Sequence, residues 1–172
     1  KLRGWPGVYY DDSRRVIGFW GLTIAPTPHR LRSTGIGLYA WCACDTLFLP
    51  ELIGCAIEVE SRCRGTGEPI RLSATPSGVG RPEPAEVVIS FLVPDQDRVN
   101  ADVITSFCHY VHFFRSARAA QTWLAEHPNS FLLSLADGFA LGRRVNSARY
   151  GRLLSRTTTN GLFFEPAKTR TL

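Results

Sequence analysis

The chain has 172 residues, 44% of them hydrophobic, which is enough for one real core and excludes a disordered or collagen-like chain. Its net charge of +5 is divided into +4 over residues 1–33, −5 over 34–141 and +6 over 142–172; a sparse basic end without interleaved aromatics reads as a solvated helix end, not a nucleic-acid surface. Without a stretch of about 18 apolar residues or a charged-then-apolar leader, a soluble cytoplasmic protein with neither a membrane nor a nucleic-acid partner is expected, and the start at Lys1 with no methionine suggests missing upstream residues.

Residues 8–24 read as two short strands around Asp11-Asp12-Ser13-Arg14, a β-hairpin. Pro26, Pro28, Gly35 and Gly37 mark a connector. Residues 38–53 are apolar all round, which predicts a buried helix with Pro50 in or near its last turn. Residues 55–62 alternate and, through the turn Arg64-Gly65-Thr66-Gly67, form a second hairpin with 69–75. A loop over 76–85 and a strand over 86–93 follow. Residues 104–114 are β-branched and aromatic, which favours a strand carrying Cys108, with a helix as the other possibility. Ser116 predicts the N-cap of a helix over 117–127 that Pro128 ends. Ser134 and Asp137 resemble a capping box heading a helix through Phe139, Leu141, Val145 and Tyr150. The segment from Ser155 reads as a frayed basic tail. No internal repeat, dinucleotide fingerprint or P-loop is present. This order predicts an α+β fold, a mixed or antiparallel sheet with flanking helices.

The five cysteines, at 42, 44, 55, 63 and 108, are odd in number and lack paired C-x-x-C units, so they read as free thiols in a reducing compartment. On a helix Cys42 and Asp45 would share a face while Cys44 points elsewhere, and Cys108 offers a second thiol. Thiolates select soft ions such as Hg(II), Cu(I) or Zn(II). Two thiols and one carboxyl group leave coordination positions open, which suggests chemistry instead of a structural metal. A buried Asp has a raised pKa and suits proton delivery. Plainer readings compete: a buried cysteine is often a small hydrophobe, and Asp45 could be satisfied by backbone N–H groups or by Arg143. His109 and His112 fall on opposite faces of a strand and read as structural or surface residues, the four tryptophans as core, and Cys63 as a hairpin corner.

The run Leu38-Tyr39-Ala40-Trp41-Cys42-Ala43-Cys44-Asp45-Thr46-Leu47, the stretch Cys63 to Ile70, and Ser106-Phe107-Cys108 with Val111-His112-Phe113-Phe114 resemble the alkylmercury (organomercurial) lyases in order and spacing. The resemblance implies protonolysis of the carbon–mercury bond of R–Hg–X to R–H and Hg(II), without an organic cofactor. It implies Cys42 and Cys108 as mercury-binding thiols and Asp45 as proton relay beside the metal. It further implies Hg(II) as bound product, low-molecular-weight thiols for turnover and a possible hand-off to mercuric reductase. Residues 1–34 would be the wing hairpin and connector of a winged-helix-like N-terminal domain, 35–154 the catalytic domain and 155–172 the tail. Cys44, where an apolar residue is expected, and Cys55 are additional thiols. A non-catalytic Hg, Cu or Zn binder is the alternative function. A DNA-binding regulator ranks last, since the recognition helix is absent from the sequence.

Overall fold

The computed structural model describes residues 7–33, 35–93, 95, 97 and 102–160. Alternation of apolar and polar residues builds most of it. In β6 (Ile57–Arg62) and β7 (Pro69–Thr75), Ile57, Val59 and Ser61 face inward together with Ile70, Leu72 and Ala74. The two pair antiparallel in the expected hairpin, whose turn contains Gly67 at φ 75°. The N-terminal hairpin joins β1 (Val8–Tyr10) to β2 (Val16–Phe19), with the Asp11 carboxylate accepting both the backbone N–H and the guanidinium Nε–H of Arg15.

These strands belong to one antiparallel sheet in the order β1-β2-β3-β5-β4-β6-β7-β8, where β3 is Leu22–Thr23, β4 His29–Ser33, β5 Ile36–Ala40 and β8 Gly78–Val79. A second sheet has the order β10-β9-β11, with β9 Val88–Leu92, β10 Phe113–Phe114 and β11 Ser130–Ser134. Helix α1 (Ala43–Ile53) packs against β4, β5, β7 and the long helix α4 (Leu135–Asn160). Gly142 and Gly138 allow the approach of α4: a Cβ at Gly142 would lie 2.9 Å from Phe48 Cβ, and one at Gly138 would lie 3.2 Å from Leu47. Pro50 lies inside α1, near its end. The antiparallel sheets and flanking helices agree with the α+β expectation.

Three expectations, on the connector, on residues 38–53 and on residues 104–114, are corrected. The connector holds β4, where His29 and Leu31 face the core and Arg30 and Arg32 face outward; the flanking prolines obscured this alternation. Because β3 pairs with β5, the N-terminal hairpin and the following strands share one sheet. The apolar run 38–53 is not one helix. Its first residues end β5 and the helix begins at Ala43, a division that periodicity cannot make in a continuous apolar run. Over 104–114, Asp102 caps a short helix α2 (Val103–Ser106) by accepting from the N–H groups of Ile104 and Thr105. A 3₁₀ turn over Cys108–Tyr110 follows, and only Phe113–Phe114 is strand. Residues 130–134 form a strand that the sequence reading missed.

Ser116 accepts from Ala119 N–H, and a 3₁₀ turn leads into α3 (Gln121–Glu126). Ser134 caps the start of α4, its Oγ accepting the Asp137 N–H at 3.0 Å and donating to the Asp137 carboxylate at 2.6 Å, the half of the expected capping box made by the serine side chain. Helix α4 continues to Asn160, past the point where fraying is expected, and the rest of the expected tail lies outside the described residues.

Candidate active site

The turn from β5 into α1 places Cys42 at the N-cap, with extended backbone at φ −142° and ψ 172°, and Asp45 at the third helical position. The Asp45 carboxylate accepts the Cys42 N–H at 2.9 Å in a capping box where a thiol stands in the place usually taken by serine or threonine. Cys42 and Asp45 therefore meet through cap geometry, and the expectation that both share a helical face is corrected in its mechanism. Cys108 opens the 3₁₀ turn that follows α2. The Ala43 N–H donates to Val111 C=O at 3.2 Å, which ties that turn to the helix start beside Cys42.

The structure brings together all three residues expected at the site. The Cys42 and Cys108 sulfurs and an Asp45 carboxylate oxygen lie within 4.8 Å of one another, and all three residues are buried. Among the described residues, no other group of three or more His, Cys, Asp or Glu side chains is close enough to hold an ion. Two metal–sulfur bonds of about 2.3 Å each, a zinc–thiolate length, span about 4.6 Å end to end. The two sulfurs, which lie within 4.8 Å of each other, are thus within the reach of one soft ion bonded to both.

Burial pushes the Asp45 carboxyl up to about 7, even though hydrogen bonds from the Cys42 thiol and N–H oppose the rise. Burial also pushes the Cys42 thiol far above its ordinary range, reinforced by its hydrogen bond with Cys108 and the negative charge of Asp45. The site at rest accordingly favours a neutral Cys42 thiol beside a carboxyl group that titrates near neutrality. Arg143 pairs with Glu51 at 3.3 Å, so it is not a partner of Asp45.

Two glycines that drew no functional reading shape the walls. A Cβ at Gly21 would come within 2.8 Å of Asp45 Oδ1, and one at Gly18 within 2.8 Å of the Trp41 ring. Gly21 C=O also accepts the Trp41 N–H at 3.1 Å. Tyr9 packs edge-on against Trp41 at 5.2 Å, so the N-terminal hairpin covers the indole next to Cys42. The only sequence signal for these glycines was their place in a hairpin turn and strand.

The remaining candidates are not members of the three-residue cluster. His112 lies edge-on to Trp123 at 4.8 Å, with its Nε2 2.7 Å from His109 C=O, in keeping with a structural role. Burial would raise the Cys63 thiol, but hydrogen bonds from Thr66, Arg115 N–H and Gly65 N–H outweigh it and hold the thiol below its ordinary range. Cys55 Sγ lies 3.3 Å from Ser33 Oγ. Cys44 is buried in the first turn of α1, and burial followed by the charges of Asp45 and Cys108 raises its thiol. Among the described residues no helix is long and apolar enough to cross a membrane.

Residues 22–147 match the alkylmercury lyase family, covering both thiols and the carboxyl group. The chain belongs to that family. Its similarity to an alkylmercury lyase of Staphylococcus epidermidis is 47% identity over 149 residues, or 87% of this chain and 67% of that protein. An alkylmercury lyase of Bacillus cereus is 46% identical over 85% of this chain and 65% of its own length, and one of Pseudomonas putida 44% identical over 81% and 64%. The chain thus spans about two thirds of the length of these curated alkylmercury lyases. The crystal structure of the mercury-bound form of MerB2 superposes with a TM-score of 0.73 at 27% identity, over 85% of this chain and 70% of that one.

Proposed function

We propose that this alkylmercury lyase family member cleaves the carbon–mercury bond of organomercurials by protonolysis, with Cys42 and Cys108 holding mercury and Asp45 moving the proton. The observation that carries this reading is the buried meeting of two thiols with a carboxyl group whose pKa lies near 7. Cys42 exchanges its thiol proton for R–Hg⁺, releasing HX. Cys108 then bonds to mercury and passes its proton to the Asp45 carboxylate. Sulfur donation makes the mercury-bound carbon more electron-rich, and protonated Asp45 delivers the same proton to it. R–H departs, leaving Hg(II) bridged between the two thiolates. No organic cofactor enters this scheme.

Two low-molecular-weight thiols, or the thiols of a mercuric reductase, then take Hg(II) and return protons to Cys42 and Cys108. A reducing cytoplasm suits this cycle, because the cysteines must stay free between turnovers, as they are in the structure.

Headspace gas chromatography of the purified chain with phenylmercury and excess thiol tests the reading. Catalytic benzene release is expected from the parent. Asp45→Ala is expected to lose about 10²–10⁴-fold, the range of general acid catalysis, and Cys42→Ala and Cys108→Ala are expected to lose turnover altogether. Mercury binding without benzene from the parent would leave a soft-metal binding protein in place of an enzyme.

A further inference from the structure

We infer that Ser90 is a positioning residue that sets the place of the Cys108 thiol opposite Cys42. Ser90 lies in β9, fully buried. Its neighbours Ile89 and Val88 pair with Phe113 and Phe114 of β10, so Ser90 stands where the chain leading out of the Cys108 turn enters the sheet. One backbone bond continues the ladder, from Ser90 N–H to His112 C=O at 2.9 Å.

The side chain makes the other connections. Ser90 Oγ accepts the His112 N–H at 2.9 Å and donates to Tyr110 C=O at 2.8 Å. A longer contact of 3.4 Å joins it to His112 C=O. The hydroxyl thus holds the backbone on both sides of Val111. That residue ties back to Cys108 through its N–H at 3.2 Å and forward to Ala43 through its C=O at 3.2 Å. Hydrogen bonds from Ser90 to residues 110 and 112, the peptide links from these to Val111, and the two bonds of Val111 therefore connect β9 to the backbone beside each thiol. An alanine at this position would leave the His112 N–H and Tyr110 C=O without the hydroxyl they share. The turn would then be free to shift relative to α1, and Cys108 would shift with it.

The turnover arm of the test rests on the lyase reading, whereas the metal arm does not. Ser90→Ala is compared with the isosteric pair Ser90→Thr and Ser90→Val, in which the added methyl is common and only the hydroxyl differs. Hg(II) affinity is measured by competition with a small thiol, and kcat and KM by benzene release from phenylmercury. Folding of each variant is checked by circular dichroism. Ser90→Ala and Ser90→Val are expected to fold, to hold Hg(II) on the order of tenfold more weakly than the parent, and to lose kcat with KM little changed. Ser90→Thr is expected to stay near the parent. Parental Hg(II) affinity in folded Ser90→Ala or Ser90→Val, or equal loss in folded Ser90→Thr, would overturn the inference. So would failure of both Ala and Val variants to fold, because Ser90 would then serve the fold and not the site. A parent that releases no benzene would defeat the lyase reading but leave the Hg(II) comparison intact.

Discussion

A carboxylate at the third position of a helix normally gains from the positive end of the helix dipole, and its pKa falls. At Asp45 burial reverses that tendency, and the group is held at about 7. The folded state therefore binds its proton more tightly than the unfolded chain does. The stability associated with that proton is present below about pH 4 and is lost as pH rises through 7. Asp45→Asn is expected to flatten this loss, with a gain at pH 8 of at most about 4 kcal/mol over the parent, read from urea denaturation at pH 4 and pH 8. His29 acts in the opposite sense: burial, aided by His112, lowers its pKa from 6.5 to about 3. Its contribution is present above 6.5 and lost as pH falls toward 3, so His29→Gln is expected to make unfolding less acid-sensitive. In the proposed reaction Asp45 must begin as carboxylate, and kcat for phenylmercury is expected to rise with pH through about 7. The candidate site was legible at this scale because thiols and a carboxyl group in apolar sequence announce their chemistry. Ser90 and Gly21 were not, since a serine in a strand and a glycine in a turn acquire these roles only from partners distant in sequence.

Among the elements, α1 and its entry strand decide where the chemistry sits. The sequence indicated a buried helix, but its start was hidden because β5 and α1 are both apolar and adjoin at Trp41-Cys42. The segment around Cys108 stayed open between strand and helix for a related reason: β-branched and aromatic residues favour a strand, whereas the Asp102 cap starts a helix there. The second hairpin was legible because one face is buried and the other solvated, which leaves a clear period of two. Close packing of α4 on α1 depends on Gly142, where any added carbon meets Phe48. Gly142→Val is expected to separate the helices at a cost of about 1–3 kcal/mol, the usual range for overpacking, measured by chemical denaturation. Gly21→Ala tests the covering turn. Its Cβ would press on the Asp45 carboxyl group, and turnover is expected to fall with a smaller change in unfolding midpoint.

Across the whole molecule, the eight-stranded sheet joins the N-terminal hairpin to the strands that lead into α1. The site therefore draws Cys42 from the end of that sheet and Cys108 from a turn beside the smaller one. These thiols are far apart in sequence, and an ion bridging them closes the chain between residues 42 and 108 into a covalent ring. By the loop-entropy arithmetic used for disulfides, such a closure restrains the unfolded chain by about 4 kcal/mol. Hg(II) is expected to raise the thermal midpoint of the parent, with little effect on Cys108→Ser, as calorimetry would measure. Mercury left after cleavage is in this sense a molecular staple: each catalytic cycle would tighten the fold around its own product, and external thiols would have to unfasten the protein as well as carry the metal away.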